Sequence, residues 1–133
     1  MATASVAKTT LPLVPLFTLA VLAGAFIALG AMFYLSVMYQ FGPAPDAGKL
    51  VGAVTFSLGL VLIVVGGAEL FTVNNLIILA RCDGLIGTRA LLRNWGVVYT
   101  GNFAGAAATA AMISLSGILG PENGALPSRS GMP

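Results

Sequence analysis

Gly66-Gly67-Ala68-Glu69-Leu70-Phe71-Thr72-Val73-Asn74-Asn75 lies inside an apolar run that covers residues 50–80. A carboxylate and two amides in such a run need solvation, because a charged side chain at mid-bilayer costs about 2.5 to 3.5 kcal/mol on insertion scales. The adjacent glycines weaken a helix at the same place. Non-helical backbone at membrane depth survives only where it is buried in protein or lines a wet route, the arrangement from which transporters build substrate sites with broken helices. The decapeptide therefore predicts a membrane helix interrupted within residues 66–75, with Gly66, Gly67, Glu69, Asn74 and Asn75 supporting the break.

Working outward, the composition places the rest of the chain in a bilayer as well. Of 133 residues, 58% are hydrophobic and only 8% charged, against about 25% charged in an ordinary soluble domain; the mean hydropathy is +0.99. Since about 20 apolar residues cross a bilayer, three spans are predicted, at residues 13–39, 49–80 and 91–119. A lead at 1–12, an outer loop at 40–48, an inner loop at 81–90 and a disordered Gly/Pro/Ser-rich tail at 120–133 complete the organisation. The first apolar run is too long for the 7 to 15 residue core of a signal peptide and is read as retained.

Lys8, Arg81, Arg89 and Arg93 fall on one side of these spans, and Lys49 and Arg129 on the other. Basic residues are retained in the cytoplasm, so the chain is expected to be integral to the cell's inner (cytoplasmic) membrane with its N-terminus in the cytoplasm. The chain has no histidine, a single cysteine, Cys82, and four acidic residues. That inventory argues against an enzyme and against a cysteine-based metal site, and no cofactor is expected. A net charge of +2 with no basic run excludes a nucleic-acid partner.

Small residues recur at four-residue spacing in span one (Ala20, Gly24, Ala28) and in span three (Gly101, Gly105, Thr109). Such ridges let helix backbones approach, so Gly24, Gly101 and Gly105 are assigned to helix packing. Trp95 and Tyr99 are expected at headgroup level, where aromatic side chains anchor spans. If the chain re-enters a helix near Val73, its free N–H groups form an anion site with Thr72 as cap and hydroxyl donor, while Asn74 or Asn75 satisfies loop carbonyls. Glu69 is assigned a structural role, accepting backbone N–H bonds or pairing with a cation from a segment outside this sequence. Phe56, Leu60, Leu70 and Phe71 bracket the break as apolar residues able to form dewetting constrictions.

Lys49-Leu50-Val51-Gly52, Phe56-Ser57-Leu58-Gly59-Leu60, Gly67-Ala68-Glu69-Leu70-Phe71-Thr72, Asn94-Trp95 and Tyr99-x-Gly101-Asn102 resemble, in order and spacing, the formate/nitrite transporter family. The resemblance covers about residues 8–117. It implies an all-α membrane protein, half of an aquaporin-like six-helix inverted-repeat fold, assembling as a pentamer in the lipid bilayer and moving formate, nitrite or hydrosulfide. By the same resemblance Phe56 and Leu60 match an outer hydrophobic constriction, and Leu70 and Phe71 an inner one. Thr72 matches the threonine that hydrogen-bonds a central histidine. That histidine belongs to the family's second half, which these residues do not contain, so the chain reads as a truncated half-protomer arising by truncation, frameshift or fragmentation. The alternative reading is a non-transporting helical remnant or an assembly subunit.

Overall fold

In the computed structural model, residues 2–41 and 46–118 are described, with side chains from residue 6 onward. All regular structure among them is helical: α1 (Ala2–Thr9), α2 (Leu13–Phe41), α3 (Asp46–Gly66), α4 (Phe71–Asn74), α5 (Ile77–Cys82) and α6 (Thr88–Leu115). The expected disordered tail at 120–133 and the centre of the outer loop lie outside the described residues. Two of the three expected spans, α2 with 29 residues and α3 with 21, are long and apolar enough to cross a membrane. At 1.5 Å per residue they measure roughly 44 and 32 Å. α6 has 28 residues, but Arg89, Arg93, Asn94 and Asn102 make it less apolar than the other two. Within the lead expected at residues 1–12, Ala2–Thr9 is helical as α1.

α2 runs between α3 and α6 and makes the main helix contacts of the chain with both. Contact with α6 is backbone against backbone. A Cβ added at Gly24 would collide with the carbonyl of Asn102, and one at Gly105 with the carbonyl of Val21. One at Gly101 would stand 2.5 Å from Ala20 Cβ. Small side chains thus allow the close approach that van der Waals packing between apolar helices requires. On the other side of α2, Gly30 faces Gly59 and Phe56 of α3.

Two small clusters make the core. Leu16, Ala20 and Val98 join α2 to α6 near their N-terminal ends, with Phe71 packed against them. Ala23, Ile63 and Ala68 join α2 to the end of α3, flanked by Phe26, Ile27 and Leu70. Outside these clusters the long helices expose apolar side chains broadly, with Val64 and Val65 of α3 about four-fifths accessible. Exposed apolar surface on this scale is covered by lipid or by further helices, as expected of a membrane protein.

Candidate functional site

α3 ends at Gly66, and its last carbonyls are satisfied by a left-handed turn. Gly67 has φ of +61°; its N–H donates to Val64 O (3.3 Å), and Ala68 N–H donates to Ile63 O (3.0 Å). These two bonds, with Ala68 packed against Ile63, form a Schellman cap. The left-handed φ is where glycine escapes the Cβ penalty. Residues 67–70 then cross to α2, where Glu69 N–H donates to the Leu19 carbonyl at 3.2 Å. Helix resumes at Phe71, two residues earlier than the sequence placed it.

The restart differs from expectation in its chemistry. Leu70 is the N-cap residue and supplies no side-chain cap bond. Thr72 is exposed, and its hydroxyl has no hydrogen-bond partner among the described residues. The cap comes from another helix instead: Asn102 Oδ1 of α6 accepts the Phe71 N–H at 2.9 Å, and Asn102 Nδ2 donates at 2.8 Å to the carbonyls of both Ala20 and Glu69. α4 is a single turn of four residues, but Asn75 and Leu76 keep right-handed helical dihedrals and carry it into α5, so the first N–H of this half-helix is the one already taken by Asn102.

Below the break a polar network is closed without solvent. Lys8 of α1 places its Nζ 3.0 Å from Glu69 Oε2 and 3.1 Å from Asn74 Oδ1. The Glu69 side chain is 6% exposed and the Lys8 side chain 29%. Asn74 Nδ2 donates to Asn94 Oδ1 (3.1 Å), Asn94 Nδ2 donates to the Lys8 carbonyl (3.3 Å), and Trp95 Nε1 donates to the Asn74 carbonyl (3.2 Å). Asn74 and Asn94 are completely buried, and no buried side-chain nitrogen or oxygen among the described residues lacks a partner. The cation for Glu69 is therefore carried by this chain, not by a missing segment, and Asn74 bonds side chains rather than loop carbonyls. Asn75 is exposed and takes no part. Arg93 ties the end of α1 in place by donating to the carbonyls of Thr9 and Leu11 at 3.4 and 3.3 Å.

Above the break lies an open groove of about 310 Å³, lined by Gly24, Ile27, Leu70, Phe71, Tyr99, Asn102, Phe103 and Ala106. The Phe71 ring meets Trp95 and Tyr99 edge-on, with centroids 6.1 and 5.5 Å apart, a geometry that aromatic quadrupoles favour. The Trp95 indole N–H reaches a carbonyl freed where α4 ends, while Tyr99 stays exposed with its ring beside Phe71. Leu70 and Phe71 share the groove, whereas Phe56 and Leu60 do not line it. They sit ten and six residues before the end of α3, roughly 15 and 9 Å along the helix. Gly24, Gly101 and Gly105 lie on the α2–α6 contact. Lys8, Asn94 and Asn102 were assigned no part in the break from sequence. For the two asparagines the available signals are their places in the Asn94-Trp95 and Tyr99-x-Gly101-Asn102 motifs and a polar amide recurring eight residues apart on the apolar α6; Lys8 offered none beyond its charge.

The site thus combines a broken helix, an ion pair on one side of the break and an aromatic-lined groove on the other. The profile described as formate/nitrite transporter matches residues 1–129. The chain belongs to the formate/nitrite transporter family. Among its relatives, the formate channel FocA of Haemophilus influenzae is 46% identical over 103 residues, which are 77% of this chain and 36% of that protein. The formate channel FocA of Escherichia coli K12 is 42% identical over 122 residues, 91% of this chain and 43% of the relative. The uncharacterized transporter YrhG of Bacillus subtilis is 40% identical over 108 residues, 77% of this chain and 40% of the relative. The chain thus spans about two fifths of the length of these formate/nitrite transporter relatives.

Proposed function

We propose that the chain forms the first three membrane helices of a channel or transporter for small monovalent anions, with formate and nitrite as the leading substrates. The observation that carries this reading is the groove at the break, where Leu70 and Phe71 stand beside the Asn102 amide. An apolar constriction beside fixed polar groups favours a small anion that sheds its charge as the neutral acid, since a bare anion is costly to desolvate. α6 serves as the third span in this reading, and Phe56 and Leu60 form a second constriction farther along α3. Thr72, exposed on α4, is free to donate its hydroxyl to a group outside the described residues.

The three long helices form one layer with α2 central, so the remaining pore wall comes from additional helices. Pentameric assembly in the cytoplasmic membrane, as the family resemblance implies, fits the broad apolar faces. The side that gathers Lys8, Arg81 and Arg93 is assigned to the cytoplasm by the positive-inside rule. Flux of formate and nitrite into proteoliposomes made with the protein tests the assignment. Phe71→Ala is expected to admit larger carboxylates such as acetate, and Thr72→Val to slow formate uptake. Unchanged flux in both variants would remove these residues from the pathway.

A further inference from the structure

We propose that Asn102 is the positioning residue of the break, the group that fixes where Leu70 and Phe71 stand relative to the groove; the functional consequence rests on the transport reading above. The case begins with valence. A primary amide offers two N–H donors and a carbonyl acceptor, and at Asn102 each is used on a different element. One N–H goes to the Ala20 carbonyl of α2, the other to the Glu69 carbonyl of the loop, and the carbonyl takes the first N–H of α4 at Phe71. The orientation of the amide is dictated by its partners, since two carbonyls require donors and one N–H requires an acceptor.

The bonds flank Leu70 on both sides, at the residue before it and the residue after it, so a single planar group sets the height and direction of the loop. Backbone packing makes this reach possible. Without side chains at Gly24 and Gly105, α6 lies close enough to α2 for a short amide to span the gap. Leucine at 102 would fill similar space but leave Glu69 O and Phe71 N–H unpaired. Aspartate would keep the acceptor and set a carboxylate against two carbonyls. No other side chain of this length supplies two donors and an acceptor from one planar group.

The test reads the loop directly and then the flux. In a Cys82→Ser background, Leu70→Cys is labelled with a maleimide in the reconstituted protein, with and without Asn102→Asp. Freeing both ends of the loop is expected to raise the labelling rate about tenfold, the scale set by losing one or two partly buried hydrogen bonds. An unchanged rate would overturn the proposal. Independently of any variant, hydrogen exchange of the unaltered protein should show the Phe71 amide protected relative to that of Thr72; equal rates would overturn it as well. A merely structural asparagine would leave selectivity alone, whereas positioning predicts that Asn102→Asp lowers the ratio of formate to acetate flux. Faster labelling with an unchanged ratio would uphold the positioning role and sink the assignment of Leu70 and Phe71 to the pathway.

Discussion

Lys8 Nζ and Glu69 Oε2 stand 3.0 Å apart, joining the first helix of the chain to the interruption in its second span across 61 positions of sequence. The pair is asymmetric, with the carboxylate enclosed and the ammonium partly open to its surroundings. Removing one partner of an enclosed pair costs more than removing both, because the survivor keeps its desolvation penalty. Lys8→Met is therefore expected to destabilise by about 2 to 4 kcal/mol. Glu69→Gln leaves Lys8 bonded to Asn74 and should cost about 1 kcal/mol. The double variant should recover part of the Lys8→Met loss. Thermal unfolding of the four proteins in one detergent decides the order; equal losses from both single variants would show that enclosure of the carboxylate is not the governing factor.

Gly66 and Gly67 are neighbours with different duties. Gly67 holds φ at +61° with nothing near its missing Cβ, while a Cβ at Gly66 would meet only Phe26 Cε2 at an ordinary 3.4 Å. Gly67→Ala is thus expected to cost about 1 to 2 kcal/mol through backbone strain alone. Gly66→Ala should be neutral or stabilising by up to about 1 kcal/mol, as alanine suits a helix better. The melting temperature of Gly67→Ala should fall while that of Gly66→Ala holds or rises.

Gly105→Ala adds one methyl group against the Val21 carbonyl, and no side chain can swing aside to admit it. The helices must separate, withdrawing Asn102 from the loop. Overpacking at a closed site costs about 1 to 3 kcal/mol, and here the clamp is lost in addition. The expected result is a sharp fall in monodisperse protein on gel filtration, while Ala107→Val, at an exposed position of the same helix, leaves the profile unchanged.

Trp95→Phe keeps an aromatic ring near Phe71 but deletes the N–H that reaches the Asn74 carbonyl. A loss of about 1 kcal/mol is expected, rising toward 2 or 3 if no water replaces the donor. Exchange of the amides in residues 71–78 should quicken in that variant while those of α2 stay protected, which hydrogen–deuterium mass spectrometry resolves by peptide.

The features legible in the sequence are those with local causes. Hydropathy announces the helices, and paired glycines followed by Glu69 announce trouble in the second span, since both signals lie within ten consecutive residues. The long-range bonds are another matter. Lys8 looks like a topological marker because its partner is 61 residues away, and Thr72 looks like a cap because threonine usually is one. The cap on Phe71 in fact arrives from Asn102, 31 residues after it; the Tyr99-x-Gly101-Asn102 motif marks that asparagine as part of the family pattern, but nothing in local sequence reveals its partner. The contact of Trp95 and Tyr99 with Phe71 is equally hidden, because Phe71 comes within reach only after α2 and α6 have packed.

The bond from Asn94 to the Lys8 carbonyl bridges 86 positions, which has a bearing on biogenesis. A polypeptide made from its amino terminus exposes residues 1–9 long before Asn74, Asn94 or Arg93 has been synthesised. The amino-terminal segment must therefore wait, unfastened, while two hydrophobic segments enter the translocon. Docking of the leading helix is consequently a late step of maturation, and a ribosome stalled before codon 94 would hold a chain whose start is still open to proteases.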